Sequence, residues 1–320
     1  MADADIYQQV QERYSSAAKT NDEDYGRDVA TAFGYSREEL ASIPEDANLG
    51  LSCGNPLALA QLREGEVVID LGSGAGIDAF LSAKNVGPNG HVYGIDMNKD
   101  MLARAKQNAQ KTSTKNVSFI ESQITSIPLQ ASIADCIISN CVVNLVPDAD
   151  KPLVFQEMAR LLKPGGRVAI SDILTKKDLP RGLKESMALY VGCVAGASRV
   201  SEYERFLKEA GFADVLIVDA KNDLNIYTSA LGEVEGESNG AGCCAQVKKA
   251  TSCCAPDQKA ESSDAGCCAS VKKQASCCGP DQTAPKEGGS GIFSESFKNE
   301  FKDIDFNEWA GSFKIYAVKK

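Results

Sequence analysis

Short runs of β-branched and apolar residues alternate with helix-like stretches through the middle of the chain. The runs are VVID (Val67–Asp70), HVYGID (His91–Asp96), VSFIE (Val117–Glu121), CIIS (Cys136–Ser139) and RVAIS (Arg167–Ser171). Between them lie stretches such as DMLARAKQNAQ and LVFQEMARLL, which read as helices. KPGG (Lys163–Gly166) reads as a turn that delivers the chain into a strand. Strand and helix alternating at this pitch predict an α/β fold: a doubly wound, mostly parallel sheet with helices on both faces and right-handed crossovers. Further on, SEYERFLKEAG reads as a helix with Ser201 as N-cap, Glu204 completing a capping box and Gly211 at C′. VLIVDA (Val215–Ala220) and FKIYAVKK (Phe313–Lys320) add two late strands.

The flanks read differently. DADIYQQVQERYSSAAK and GYSREELASI predict helices, so residues 1–60 form a helical cap and a substrate loop over one edge of the sheet. The core is expected over 61–233, completed by a final strand within 291–320. Between these, residues 234–290 are rich in Gly, Ser, Ala and Lys and poor in large apolar side chains. Such a segment cannot offset its own ordering entropy and is expected to be a disordered insert without a ligand.

Composition narrows the classes. The 320 residues are 43% hydrophobic, enough for a large core without disulfides. A net charge of −10 argues against nucleic acid and anionic membrane as partners. The polar, acidic start MADADIYQQV does not read as a signal peptide, and no apolar run reaches membrane-spanning length. A cytoplasmic monomer is expected, in which cysteines stay reduced and serve as ligands or nucleophiles. With His91 the only histidine, histidine-based catalysis is poorly supported.

VVIDLGSGAG sets Gly72, Ser73, Gly74 and Gly76 directly after a strand and before a helix, with Asp70 closing the strand. Asp96 closes the next strand, at about the spacing of a carboxylate that binds ribose hydroxyls. The third glycine comes one residue earlier than in the dinucleotide fingerprint. G-S-G-A-G after Asp70 resembles motif I of the class I, Rossmann-like, S-adenosyl-L-methionine-dependent methyltransferases. That resemblance implies Asp96 on the ribose, Met97 against adenine, Gln123 and Ile124 at the adenine edge, and Asn140 facing the methionine end. The family usually carries an acid where Gln123 stands; an amide can still bond the adenine amino group through its oxygen.

Twelve cysteines carry the remaining signal. Cys136, inside a strand, reads as core. Cys141 follows the fourth strand, at the ligand edge of such a sheet. Cys53 and Cys193 sit among small residues in LGLSCGNP and LYVGCVAGAS. Each alone is more often a small buried hydrophobe than a ligand. Together, three soft thiolates suit a soft electrophilic centre such as trivalent arsenic, whose lone pair would stay free to take a methyl group. ANLGLSCGNP, ISNCVVNLVPD, LKPGGRVAISDI and YVGCVAGA together resemble the arsenite methyltransferase family, from about Tyr25 to Ile226 and again near NEWAGSFKIYAVKK.

The resemblance implies that Cys141 and Cys193 hold arsenite, with Cys53 as third ligand or disulfide partner. Arsenite would arrive as a glutathione or other thiol complex and exchange onto low-pKa thiolates. Thioredoxin or glutathione would restore the thiols after turnover. Many members carry further cysteines upstream of the Cys53 position, and this chain has none.

The other eight cysteines form a tandem repeat, GCCAQVKKATSCCAPDQ at Gly242–Gln258 and GCCASVKKQASCCGPDQ at Gly266–Gln282. Its vicinal pairs, Cys243, Cys244, Cys253, Cys254, Cys267, Cys268, Cys277 and Cys278, suit accessory binding of soft metals. The repeat could trap arsenite near the site, supply reducing thiols, or be a dispensable insert. Two rival functions stay open: methylation of a small organic acceptor of quinone or sterol type, and metal sequestration by the repeat.

Overall fold

The computed structural model describes residues 3–19, 23–184, 186, 189–190, 192–225 and 304–320. The insert and its cysteine repeat lie outside these residues. The order of elements is α1 (Asp3–Ala17), α2 (Glu23–Ala32), α3 (Arg37–Ala41), α4 (Leu57–Ala60), β1 (Val67–Leu71), α5 (Ile77–Val86), β2 (His91–Asp96), α6 (Lys99–Thr112) and β3 (Val117–Glu121). There follow β4 (Ala134–Asn140), α7 (Lys151–Leu161), β5 (Leu162–Thr175), α8 (Arg181–Lys184), α9 (Val200–Glu209), β6 (Phe212–Asp219) and β7 (Ala310–Lys319).

The strands form one seven-stranded sheet in the order β3-β2-β1-β4-β5-β7-β6. The first five neighbours pair in parallel, and β7 runs antiparallel between β5 and β6. The doubly wound, mostly parallel sheet expected from the sequence is therefore present. Central strands buried on both faces must be apolar throughout; Val68, Ile69 and Leu71 of β1 and Cys136, Ile137 and Ile138 of β4 are all fully covered. On one face Ile69, Ile137 and Ile170 pack with Phe155 and Met158 of α7 and Tyr203 and Phe206 of α9. On the other, Val68, Cys136 and Ile138 meet Ala79, Ala83 and Val86 of α5. Cys136 is core, as expected, and burial pushes its thiol up to about 12.

One local expectation holds and one changes. KPGG interrupts β5 as a turn: pairing with β4 passes from Ala134–Leu162 straight to Cys136–Arg167, so Lys163–Gly166 bulge out of the ladder, with Gly165 at φ +77°. Helix α9 starts before Ser201. Thr175 bridges to Arg199, and its amide donates to the Ser198 carbonyl at 3.0 Å, which holds the chain extended up to Arg199. Arg199 is the N-cap, and Glu202 rather than Glu204 accepts its backbone N–H at 2.9 Å. Arginine has no side-chain acceptor, so only the returning half of a capping box forms. Gly211 takes the expected position beyond the C-cap Ala210.

Strand order reverses between β1 and β4. In a doubly wound sheet the crevice for a ligand opens there, at the carboxyl ends of the strands.

Candidate functional site

The β1–α5 loop lies against the carboxyl end of β2. Gly72 and Ser73 both donate to the Ile95 carbonyl, at 2.8 and 3.0 Å. The Gly74 amide donates to Asp96 Oδ2 at 2.8 Å, and the Asn98 amide to Oδ1 at 2.8 Å. Two backbone donors thus fix the carboxylate the sequence singles out. Gly72 has φ +69° and passes so close to the loop after β4 that a Cβ would lie 2.5 Å from Val142 Cγ2. Gly76 plays a different part from its neighbours. It is off the cavity wall, and its bare α-carbon admits the Phe80 and Phe119 rings.

A cavity opens above this loop, with about 1050 Å³ of free space that includes part open to solvent. Its wall contains Asp70, Gly72, Ser73, Gly74, Asp96, Met97, Gln123, Ile124 and Asn140, nine of the ten residues predicted for the cofactor. Helix α1, whose role the sequence did not reveal, closes the cavity with Tyr7, Val10, Gln11 and Tyr14. It is fastened by Asn98 Nδ2, which donates to the Gln11 carbonyl and to Ser15 Oγ, both at 2.9 Å. Tyr7 Oη donates to Asp150 Oδ2 at 3.0 Å.

Three carboxylates face this one cavity. Burial raises the pKa of Asp70, and the neighbouring Asp78 and Asp96 charges raise it further. Burial also raises Asp96, and brings Asp78 to about 6 although Tyr35 and Asn140 bond to it. Asp70 Oδ2 and Ser73 Oγ are buried without a hydrogen-bond partner among the described residues. Unpaired buried acceptors beside crowded carboxylates call for a ligand that brings donors and positive charge. S-adenosyl-L-methionine carries both, in its ammonium, sulfonium and hydroxyl groups, and the residues present fit it.

Asn140 joins the cavity to the cysteine loop. Its Nδ2 lies 2.9 Å from Tyr35 Oη, 2.8 Å from the Gly54 carbonyl and 3.1 Å from Asp78 Oδ2. Its Oδ1 accepts the Cys53 amide at 3.2 Å, and Tyr35 Oη donates to Asp78 Oδ1 at 2.7 Å. The Cys53 carbonyl accepts from Ser312 Oγ of β7 at 2.6 Å. Cys53 is thereby held from both sides.

The structure brings together the three cysteines the sequence selected. The sulfurs of Cys53, Cys141 and Cys193 all lie within 4.8 Å of one another, and all three residues are buried. Cys53 and Cys141 are paired sulfur to sulfur, with their Cα atoms 5.8 Å apart. Cys193 is a free thiol and donates to the Cys141 carbonyl at 2.9 Å. Cys141 lies on the cavity wall; Cys53 and Cys193 sit behind it in an apolar cluster with Val10, Leu145 and Ile173. Cys141 and Cys193 have left-handed backbones, φ +60° and +66°. Non-glycine residues hold such conformations at a cost of ~1–3 kcal/mol, most often at functional sites.

One expectation fails here. Cys193 is not a low-pKa thiolate: burial, then the charge of Asp172, raises its thiol well above the ordinary range, with only a bond from Tyr14 acting the other way.

Comparison with known proteins agrees with this geometry. A family described as "Methyltransferase domain" matches residues 62–211. The chain is 41% identical over 248 residues to the arsenite methyltransferase of Halobacterium salinarum, covering 68% of this chain and 63% of that one. It is 33% identical over 251 residues to the human arsenite methyltransferase, covering 74% and 66%. The chain belongs to the arsenite methyltransferase family. It spans less than two thirds of the length of either relative. In fold it resembles the Haemonchus contortus phosphoethanolamine N-methyltransferase 2 in complex with S-adenosyl-L-methionine, with TM-score 0.54 at 17% identity over 84% of this chain and 53% of that one. The glycine loop, Asp96 and the three cysteines thus stand in a chain of this family, within the class I S-adenosylmethionine-dependent methyltransferases. No described helix is long and apolar enough to cross a membrane.

Tyr14, Tyr35 and Asp78 went unrecognised in the sequence. Only Asp78 left a trace, as an acid in the first turn of the helix after the glycine loop.

Proposed function

We propose that the protein transfers the methyl group of S-adenosyl-L-methionine to trivalent arsenic, as arsenite or methylarsenite, held by Cys53, Cys141 and Cys193, and that this serves arsenic detoxification. The observation that carries the reading is the convergence of three buried sulfurs within 4.8 Å of one another, with Cys141 on the wall of the cofactor cavity.

Arsenic enters as a thiol complex. Each protein thiol forms a bond to arsenic while one carrier thiol leaves with the proton the protein thiol gives up. A neutral, buried Cys193 can take part in this exchange because its proton departs with the leaving group. The three sulfurs leave the arsenic lone pair free. S-adenosyl-L-methionine, when bound, supplies an electrophilic methyl on a sulfonium. Asp96, fixed by the Gly74 and Asn98 amides, would take the ribose hydroxyls. Met97 and Ile124 would flank adenine, and Gln123 would bond its edge. Gly72, Ser73 and Gly74 admit the ligand, with Gly76 supporting the loop from behind. Asp70 and Asn140 would meet the methionine end. Helix α1 excludes water through Val10 and Tyr14. The residues contribute chiefly proximity and orientation, worth up to ~7–11 kcal/mol for two bound reactants. The site needs no general base.

Methyl transfer formally oxidises arsenic. Two cysteine thiols return it to the trivalent state by giving up two electrons and joining as a disulfide; the contact between Cys53 and Cys141 supports this pair in that role. Thioredoxin or glutathione, present in the cytoplasm, then reduces the pair. The enzyme acts as a monomer without nucleic acid or membrane. Cys243, Cys244, Cys253, Cys254, Cys267, Cys268, Cys277 and Cys278 are accessory.

The test is methylation of arsenite with glutathione present, read by mass spectrometry of arsenic species. Wild type and a chain lacking residues 242–282 should both give methylated arsenic. Cys141→Ser and Cys193→Ser should give none while still binding the cofactor. Full activity in both serine variants would overturn the assignment, and no product from wild type would move the acceptor to an organic molecule.

A further inference from the structure

Cys141 and Cys193 stand 52 residues apart in left-handed conformations that need outside support. The carboxyl end of β5 provides it. The Ser171 carbonyl takes the Cys141 amide at 2.9 Å. The next residue, Asp172, is fully buried. Its Oδ2 accepts Tyr203 Oη at 2.9 Å; its Oδ1 accepts the Ile173 amide at 3.0 Å and Asn144 Nδ2 at 2.7 Å. Asn144 is fully buried too, three residues after Cys141 on the same loop. Its Nδ2 also reaches the Ile173 carbonyl at 2.6 Å and the Cys193 carbonyl at 3.3 Å.

One short stretch of β5 therefore touches both cysteine loops, Cys141 directly and Cys193 through Asn144. A second fastening holds the far side of the Cys193 loop. Lys151, 1% exposed, donates to the Gly196 carbonyl at 2.5 Å and to Asp148 Oδ1 at 2.6 Å.

We propose that Asn144 and Asp172 are positioning residues: a buried amide–carboxylate clamp that sets the Cys193 sulfur against Cys141, so that the third thiol reaches arsenic. This rests on the function proposed above and assigns roles to residues outside both the thiol trio and the cofactor wall. Neither side chain touches the reacting atoms. A buried carboxylate accepting three hydrogen bonds is rigid, and rigidity is what a three-point ligand set needs. Asn144 is the part that transmits it, because only its amide spans from Asp172 to the Cys193 backbone.

The consequence separates two probes. Arsenite draws on three thiols, whereas phenylarsine oxide needs only two. In the reduced full chain, Asn144→Ala should weaken arsenite binding by about tenfold or more, the scale of one lost buried hydrogen bond. The same variant should bind phenylarsine oxide and S-adenosylmethionine about as wild type does. Asp172→Ala should behave like Asn144→Ala, and Asp172→Asn, which keeps an acceptor for Asn144, should recover most of the arsenite affinity. Thiol counting by alkylation and mass spectrometry should show three protected cysteines with arsenite in wild type and two in Asn144→Ala. Unchanged arsenite affinity in Asn144→Ala overturns the clamp. Equal losses for both probes and the cofactor also overturn it, because they mark general loosening. A wild type that protects only two thiols overturns the three-thiol site itself.

Discussion

Asn140→Ala tests whether the cofactor wall and the Cys53 loop are one construction. The side chain serves Cys53 N, Gly54 O, Tyr35 Oη and Asp78 Oδ2 at 2.8 to 3.2 Å. Its two amide hydrogens cannot satisfy three acceptors fully, so the loss counts for less than four bonds. Tyr35 and Asp78 keep each other through their 2.7 Å bond. The groups left without partners are the Cys53 amide and the Gly54 carbonyl. A buried polar group stranded in this way costs ~1–3 kcal/mol, so the variant should lose roughly 2–4 kcal/mol. For a domain of this size ~1 kcal/mol moves Tm by ~2–4 °C, which predicts a fall of roughly 5–15 °C. Calorimetry of the reduced protein reads the stability. Alkylation of Cys53, followed by mass spectrometry, reads whether its loop has come loose. A Tm within about a degree of wild type, with Cys53 alkylated no faster, would refute the coupling.

Three further outcomes follow from the geometry. Asp172 has its carboxyl raised from 3.8 to about 7, chiefly by burial. The folded state then holds a proton the unfolded chain has lost, so this contribution is present below about pH 4 and disappears as pH rises to about 7, at up to ~1.4 kcal/mol per pH unit. Measured by denaturant titration, the gap between wild type and Asp172→Asn should shift against wild type by a few kcal/mol across that window; a constant gap would show that Asp172 is ionised throughout. At Cys193, with φ +66°, glycine should give a more stable protein than alanine by about 1–2 kcal/mol, and equal unfolding midpoints would contradict the left-handed assignment. Gly72→Ala sets a Cβ 2.5 Å from Val142 Cγ2 at φ +69°, so binding of S-adenosylmethionine by calorimetry should fall by more than about tenfold; unchanged affinity would mean that the loop can yield.

The parts of the fold that were legible in the sequence are those set by neighbours along the chain. β-branched runs marked the strands, and a glycine loop with an acid before it and another twenty residues on marked the wall of the cavity. Where local chemistry misled, a distant contact decided. Ser201 is a better N-cap than Arg199 on intrinsic preference, but the bridge from Thr175 fixes the chain beyond it. Tyr14, Tyr35, Asp78, Asn144 and Asp172 acquire their roles only through partners 28 to 43 or more residues away, which no periodicity encodes. The pKa of Cys193 belongs to the same class, because burial against α1 and the charge of Asp172 set it.

The three cysteines were singled out by their sequence contexts and by the family resemblance, not by their spacing. Their separations, 88 residues from Cys53 to Cys141 and 52 from Cys141 to Cys193, say nothing about contact. What unites them is topology. Cys141 leaves β4 and the Cys193 loop follows β5, so both lie at the carboxyl ends of adjacent strands; Cys53 is drawn to the same end by Asn140 of β4 and Ser312 of β7. Were these residues only small hydrophobes, alanine or valine would fill the space without a buried thiol, and glycine would relieve two left-handed backbones. Retaining cysteine at two strained positions, beside a third cysteine fastened from two sides, is costly packing but suitable ligand geometry. The strain and the convergence together favour a ligand set over a core.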